Sequence, residues 1–257
     1  MSAQANGQIM QFYPEEGSKL TANQNVGLID TVVLSLNKKL LQQQKITTAS
    51  QYANLSSEID VLNQQLKNTK VNQARVHNLF KSGASTQKQV DDVDGAIDLI
   101  KKQINSANTR RNSISDQIDG VDVQIEQVNE ALRKCHISNP IEGTVLVKYA
   151  EEGEMAGIGK PLYKIADLTE MKLKAYISGA QLPNVKIGQQ VEIQFDKSNK
   201  ENNTVTGKVS WVSNSAEFTP KTIQTKEERV NLVYAIKVTV KNTGAIKIGM
   251  PGEMYLK

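Results

Sequence analysis

From Val90 onward, apolar residues return in alternating steps of three and four: Val90, Val93, Ile97, Ile100, Ile104, Ala107, then Arg111, Ile114, Ile118, Val121, Ile125, Val128, Leu132 and Cys135. This is a heptad seam, interrupted once by the polar Arg111. It keeps a single stripe facing one partner helix, because an apolar step of 3.5 residues nearly matches the helical turn. The preceding segment repeats it more loosely, through Tyr52, Leu55, Ile59, Leu62, Leu66, Thr69, Gln73, Val76 and Phe80. Between the two lies Lys81-Ser82-Gly83-Ala84-Ser85-Thr86, where a glycine able to take positive φ precedes a hydroxyl residue suited to N-capping the second helix. So short a turn makes the helices antiparallel neighbours. Arms of about fifty residues reach roughly 75 Å each, far more than a small domain needs for its own core. Their remaining surface is polar and mixed in charge (Lys101, Lys102, Arg110, Asp116, Asp119, Glu126), as a solvated hairpin requires. No window approaches the run of about 20 apolar residues that spans a membrane.

The segments on either side of the hairpin read as β-structure and repeat one another. Shifting by 136 residues places Gly7 on Gly143, Ile9 on Val145, Glu15-Glu16-Gly17 on Glu151-Glu152-Gly153, Val26 on Leu162 and Ile29 on Ile165, without a gap. Residues 1–30 and 137–168 are therefore expected to be halves of one β module, with the hairpin, 31–136, inserted between them and its tip near 81–86. After Asp167 the period becomes two: Met171, Leu173, Ala175 and Ile177; Val191, Ile193 and Phe195; Val205, Val209 and Trp211; Leu232, Tyr234, Ile236, Val238 and Val240. Short strands punctuated by Gly188, Gly207, Gly244 and Gly249-Met250-Pro251-Gly252 predict a small antiparallel barrel over 169–257. A short helical turn is expected at 180–185. Residues 214–230 hold no clear strand and read as a solvated loop or hairpin extension.

Composition removes several function classes. Across 257 residues the net charge is only +4 and is dispersed, with no basic run beside stacking aromatics, which argues against nucleic acid. The one cysteine, Cys135, holds a seam position and is expected to be a small buried apolar residue rather than a reactive thiol. His77 and His136 fall near opposite ends of an extended rod, so no metal site is expected. Asp91, Asp92 and Asp94 lack the ligand spacing of a calcium loop and read as a solvated face near the start of the second helix. Phosphate-binding glycine motifs and a nucleophile elbow are missing from the sequence, which leaves no catalytic residue and no cofactor to assign. Met1 leads into strand-like sequence with neither a charged n-region nor an apolar h-region. That abrupt start predicts that the full reading frame carries a leader or anchor ahead of this chain.

A split β module, a long hairpin inserted in it and a following barrel resemble the HlyD-type periplasmic adaptors, or membrane fusion proteins. Gly7-Gln8-Ile9, Glu16-Gly17 and Gly27-Leu28-Ile29-Asp30-Thr31 resemble the first half of that family's lipoyl-like domain. The second half is matched by Ile137-Ser138-Asn139-Pro140-Ile141-Glu142-Gly143-Thr144-Val145, Gly153-Glu154 and Gly159-Lys160-Pro161-Leu162. In the barrel, Glu217-Phe218-Thr219-Pro220, Thr225-Lys226-Glu227-Glu228-Arg229, Leu232-Val233-Tyr234 and Gly249-Met250-Pro251 look like a subgroup paired with ABC-type exporters. The implied fold is mixed α and β: a coiled-coil hairpin inserted in a split lipoyl-like domain, followed by a β-barrel. Lipoyl and biotin carriers hold a modified lysine on the turn joining their halves, and here the hairpin replaces that turn.

The resemblance also implies a function. The chain is expected to be a non-catalytic periplasmic adaptor of efflux or secretion, anchored to the inner membrane in its full-length form. It would join an inner-membrane transporter, ABC type favoured, to a TolC-like outer-membrane channel, with copies assembled as a hexamer. The family's tip carries an Arg, a Leu four residues on and a Ser seven beyond that. Arg75 and Leu79 match, Gly83 turns the chain, and either Ser85 or Thr86 supplies the hydroxyl. Two other readings stay open at this point. A biotin or lipoyl carrier subunit would show a modified lysine by mass spectrometry, and a coiled-coil scaffold would keep partner binding after loss of residues 70–90.

Overall fold

A computed structural model of the chain describes residues 1–198, 201–218 and 232–256, and gives only the backbone at 196–198, 201–202 and 218. Two helices dominate it, α1 (Val32–Lys81) and α2 (Gln87–Cys135). All six prolines of the chain lie outside them, so nothing interrupts either backbone ladder. Every seam position of α2 is buried or half-buried, Ile97 and Ile100 down to 3% and 4% exposed. In α1 the seam runs further toward the base than the sequence shows, because Leu34, Lys38, Leu41, Lys45 and Thr48 continue the same half-buried stripe. Lysines at two of these places lay their aliphatic stems along the seam and keep their charge at its rim. Lys45 reaches across to Asp122 at 2.7 Å, and Arg110 to Glu58 at 3.7 Å, so polar pairs fix the register of the arms.

The hairpin leaves and re-enters a single β module. Its strands are β1 (Gly7–Phe12), β2 (Lys19–Leu20), β3 (Asn25–Ile29), β4 (His136–Ser138), β5 (Gly143–Lys148), β6 (Met155–Ala156) and β7 (Tyr163–Ala166). The sequence repeat reappears as a pseudo-two-fold relation between the halves. β1 pairs with β6 through Gly7 and Ala156, and β5 pairs with β2 through Gly143 and Leu20, the same residues displaced by 136. Both long pairings, β1 with β3 and β5 with β7, carry a bulge at the equivalent place. Gly17 and Gly153 both take positive φ, 84° and 90°, and Gly159 at 87° corresponds to Asn23 at 62°. Asparagine is one of the few residues besides glycine that tolerate this left-handed conformation, which is how the repeat survives without a glycine there. One hydrophobic core draws on both halves: Ile9, Phe12, Val26 and Ile29 with Ile137, Val145, Leu162 and Tyr163. Tyr163 is paired by the repeat with Gly27, where an added Cβ would sit 2.5 Å from the Gln11 carbonyl oxygen.

Beyond the module, β8 (Glu170–Ser178), β9 (Gln190–Ser198), β10 (Glu201–Phe218), β11 (Leu232–Lys241) and β12 (Glu253–Tyr255) form an antiparallel sheet in the order β12-β9-β10-β11-β8. The sheet curls around its own core of Ile177, Val191, Ile193, Val209, Ile236, Val238 and Val240. Among the described residues β12 and β8 share no ladder. Closure there is made by side chains: a Cβ at Gly252, ahead of β12, would lie 3.5 Å from Leu173 of β8. A 3-10 turn at Leu182–Asn184 occupies the expected helical site. Residues 214–218, where the sequence left a solvated loop or a hairpin extension open, belong to β10 and extend its hairpin with β11. Two register shifts, at Val209/Trp211 and Val212/Ala216, break the alternation that would have revealed them. The motif stretches at 219–220 and 225–229 lie outside the described residues.

Candidate functional site

At the far end of the hairpin, α1 closes with backbone bonds from Gly83 to Phe80 (3.0 Å) and from Ala84 to Leu79 (2.8 Å). Gly83 takes φ of 76°, a left-handed conformation that costs a glycine nothing and turns the chain toward α2. α2 then opens with a reciprocal cap. The Gln89 amide donates to Thr86 Oγ1 at 3.3 Å, and the Thr86 amide donates to Gln89 Oε1 at 3.0 Å. Ser85 Oγ donates to that same Oε1 at 2.7 Å. The neighbouring hydroxyls are left with opposite capacities. Thr86 accepts, and among the described residues its own proton has no acceptor. Ser85 has used its proton and keeps only lone pairs.

Arg75 and Leu79, four residues apart, share one flank of α1, and both face solvent, Leu79 at 43% exposure. Among the described residues no carboxylate lies within ion-pair distance of Arg75. Phe80, 41% exposed, is the one seam residue that opens to water, because it lies in the last turn of α1, where the opposing arm has only begun. Its place in the heptad series made it look like ordinary core, so sequence reasoning missed it as part of the tip surface.

His77 projects from the other flank of α1. Its Nε2 lies 3.1 Å from Asp94 Oδ1, and Gln73 Nε2 donates to the same oxygen at 2.6 Å. Hydrogen bonds from Gln73 and then His77 hold the Asp94 carboxyl below the usual carboxylate range. Asp91 and Asp92 are solvated as expected, whereas Asp94 is a cross-hairpin anchor just below the tip. At the opposite end His136 is exposed and Cys135 is fully buried, its Sγ 3.9 Å from the Asp30 carbonyl oxygen. Burial pushes that thiol's pKa up, away from the reactive thiolate. Among the described residues no three His, Cys, Asp or Glu side chains converge as a metal site, and no helix is long and apolar enough to cross a membrane.

Comparison with known proteins gives this arrangement a context. Residues 167–256 match the family described as LcnD-like, C-terminal domain. A UPF0194 membrane protein of Citrobacter koseri is 22% identical over 98% of this chain and 83% of its own length. The UPF0194 membrane protein YbhG of Salmonella arizonae is 30% identical over 113 residues, 44% of this chain and 34% of that protein. MacA from Actinobacillus actinomycetemcomitans superposes with a TM-score of 0.67 at 20% identity, over 98% of this chain and 72% of its own. The membrane fusion protein Spr0693 from Streptococcus pneumoniae R6 does so at 0.51 and 17%, over 98% and 89%. Over almost its whole length the chain therefore shares the fold of MacA and Spr0693, and over residues 167–256 it matches the LcnD-like C-terminal domain.

Proposed function

We propose that this chain is the periplasmic adaptor of a tripartite export system. Its hairpin tip docks on a TolC-like outer-membrane channel, and its barrel lies toward an inner-membrane transporter, of ABC type. In this reading residues 1–30 and 137–168 pack copies side by side into a ring of six. Residues 31–136 form the arms of the conduit, and 169–257 form the transporter-proximal barrel of a protein anchored in the inner membrane. It performs no chemistry of its own.

The observation that carries the proposal is the unspent binding capacity collected at the tip. An unpaired guanidinium at Arg75, exposed Leu79 and Phe80, and the free proton of Thr86 crowd one end of a rod whose next turns are internally paired. One such tip is a small surface, so docking relies on several copies engaging together, each raising the effective concentration of the next.

A photo-crosslinking residue at position 79, in cells that carry a TolC-like channel, tests the reading. It is expected to capture the channel, while the same group at Leu99, exposed about a quarter of the way down α2 from the tip, captures none. Arg75→Glu is expected to abolish capture at 79. Thr86→Val should weaken it, while Thr86→Ser, which keeps both the cap and the donor, should not. Equal capture at 79 and 99, or none at 79, overturns tip docking.

A further inference from the structure

The outer face of the barrel sheet carries a feature that the adaptor reading does not use. Lys172, Lys174 and Tyr176 point outward from β8, Lys237 from β11, and Lys208 and Trp211 from β10. Sheet register places Trp211, Lys237 and Lys174 in one row across three strands, and Lys208, Thr239 and Lys172 in the next. Lys237 and Lys174 are direct cross-strand partners on one face, an arrangement of like charges that destabilises a sheet. Guarding an edge accounts for Lys172 and Lys174 on β8, the last strand of the sheet, but not for Lys208 and Lys237, which lie on the interior strands β10 and β11. Glu217, 3.3 Å from Lys174, is the only carboxylate paired with the patch among the described residues. Among the described residues Lys172, Lys208 and Lys237 have none within ion-pair distance. Two large rings stand exposed among these cations, Trp211 and Tyr176, each at 39%. Lys237 Nζ lies 4.9 Å from the Trp211 ring centre, and Lys174 Nζ lies 5.0 Å from that of Tyr176.

We infer that this face of the barrel is a docking surface for an anionic bilayer. The lysine ammonium groups rest on lipid phosphates, and Trp211 and Tyr176 sit at headgroup depth. Charge complementarity selects this occupant. Phosphates supply counter-charge to Lys172, Lys208 and Lys237, which have no carboxylate partner among the described residues, and amphipathic Trp and Tyr rings favour the membrane–water interface. An acidic protein surface is the rival occupant, and vesicle binding separates the two.

The chain reports on the patch directly, because Trp211 is its only tryptophan. Titrating the full chain with phosphatidylcholine vesicles containing phosphatidylglycerol is expected to shift Trp211 emission to the blue, and brominated lipid should quench it. Pure phosphatidylcholine vesicles, or free glycerol phosphate at equal phosphate concentration, should do neither. Co-sedimentation should fall about fivefold for each of Lys172→Gln and Lys237→Gln, as expected when one lysine leaves an anionic surface. Raising the salt concentration should weaken binding further. Lys101→Gln with Lys102→Gln on the hairpin is the matched control and should change nothing. The inference is overturned if the emission does not move, if pure phosphatidylcholine binds equally well, or if the hairpin variants lose as much as the barrel ones. Binding to a soluble acidic partner without binding to vesicles also overturns it.

Discussion

Asn139 shows how one polar side chain ties the split module shut. It is fully buried, its Nδ2 donates to the carbonyls of Thr21 (2.8 Å) and Ile141 (2.6 Å), and its Oδ1 accepts from the Tyr163 hydroxyl (2.9 Å). The repeat pairs it with Ala3, which keeps the equivalent backbone bonds but has nothing to staple. Asn139→Ala should therefore cost roughly 3 kcal/mol by urea unfolding, since it strands a buried hydroxyl and two carbonyls. Tyr163→Phe, which strands only Oδ1, should cost about half as much. Tyr163 adds a pH signature, because burial pushes its hydroxyl up from 10.0 to about 12. The unfolded chain gives up this proton near pH 10 and the folded chain only near 12. The contribution is thus whole below pH 10 and is lost as pH rises to 12, about 2 to 3 kcal/mol in all. Urea titrations from pH 9 to 12 should show wild type losing that much more than Tyr163→Phe. None of this was legible in the sequence, where Asn139 enters only as one residue of the stretch that resembles the second half of the split module. A buried network is a property of three distant segments meeting, and no spacing along the chain encodes it.

At the scale of elements, helical period is what made the hairpin legible. Buried positions recur at a fixed angle, and a long run of them outweighs a stray Arg111. The lower part of α1 was hidden because Lys38 and Lys45 fill seam places with residues whose heads belong to water. The end of β10 was hidden because its bulges reset the alternation. The same geometry identifies positions that the helix does not need. Gly95 and Gly120 lie inside α2, exposed, with nothing within 4 Å of an added Cβ, and neither takes positive φ. Glycine there only adds freedom to the unfolded chain, so Gly95→Ala and Gly120→Ala should each stabilise the hairpin by about 0.5 to 1 kcal/mol. Hydrogen exchange should slow within α2 and stay unchanged in the barrel. Loss of stability at either position would show that the helix needs glycine there after all.

For the molecule as a whole, the rod's length carries the functional claim, and its own register supplies a way to change length alone. Cross-hairpin pairs such as Lys45–Asp122 and Glu58–Arg110 show that facing residues have position numbers that sum to nearly the same value. Deleting residues 55–61 together with 107–113 therefore removes matched heptads from both arms. It takes out Leu55, Ile59 and their partner Ala107, together with both members of the Glu58–Arg110 pair, and leaves no new orphan. Each arm shortens by about 10 Å while every remaining seam contact keeps its phase. Thermal unfolding should stay cooperative, with Tm within about 5 °C of the parent. Deleting 55–61 alone leaves unequal arms, displaces Gln73 and His77 from Asp94, and should broaden and lower the transition. If the arm bridges a set gap to a channel, the matched deletion should fold normally yet lose crosslinking from position 79. Duplicating residues 48–54 and 114–120 in that background should restore it, because reach returns although the deleted sequence does not. A shortened arm that still reaches the channel would mean that the arm's length is not what sets docking.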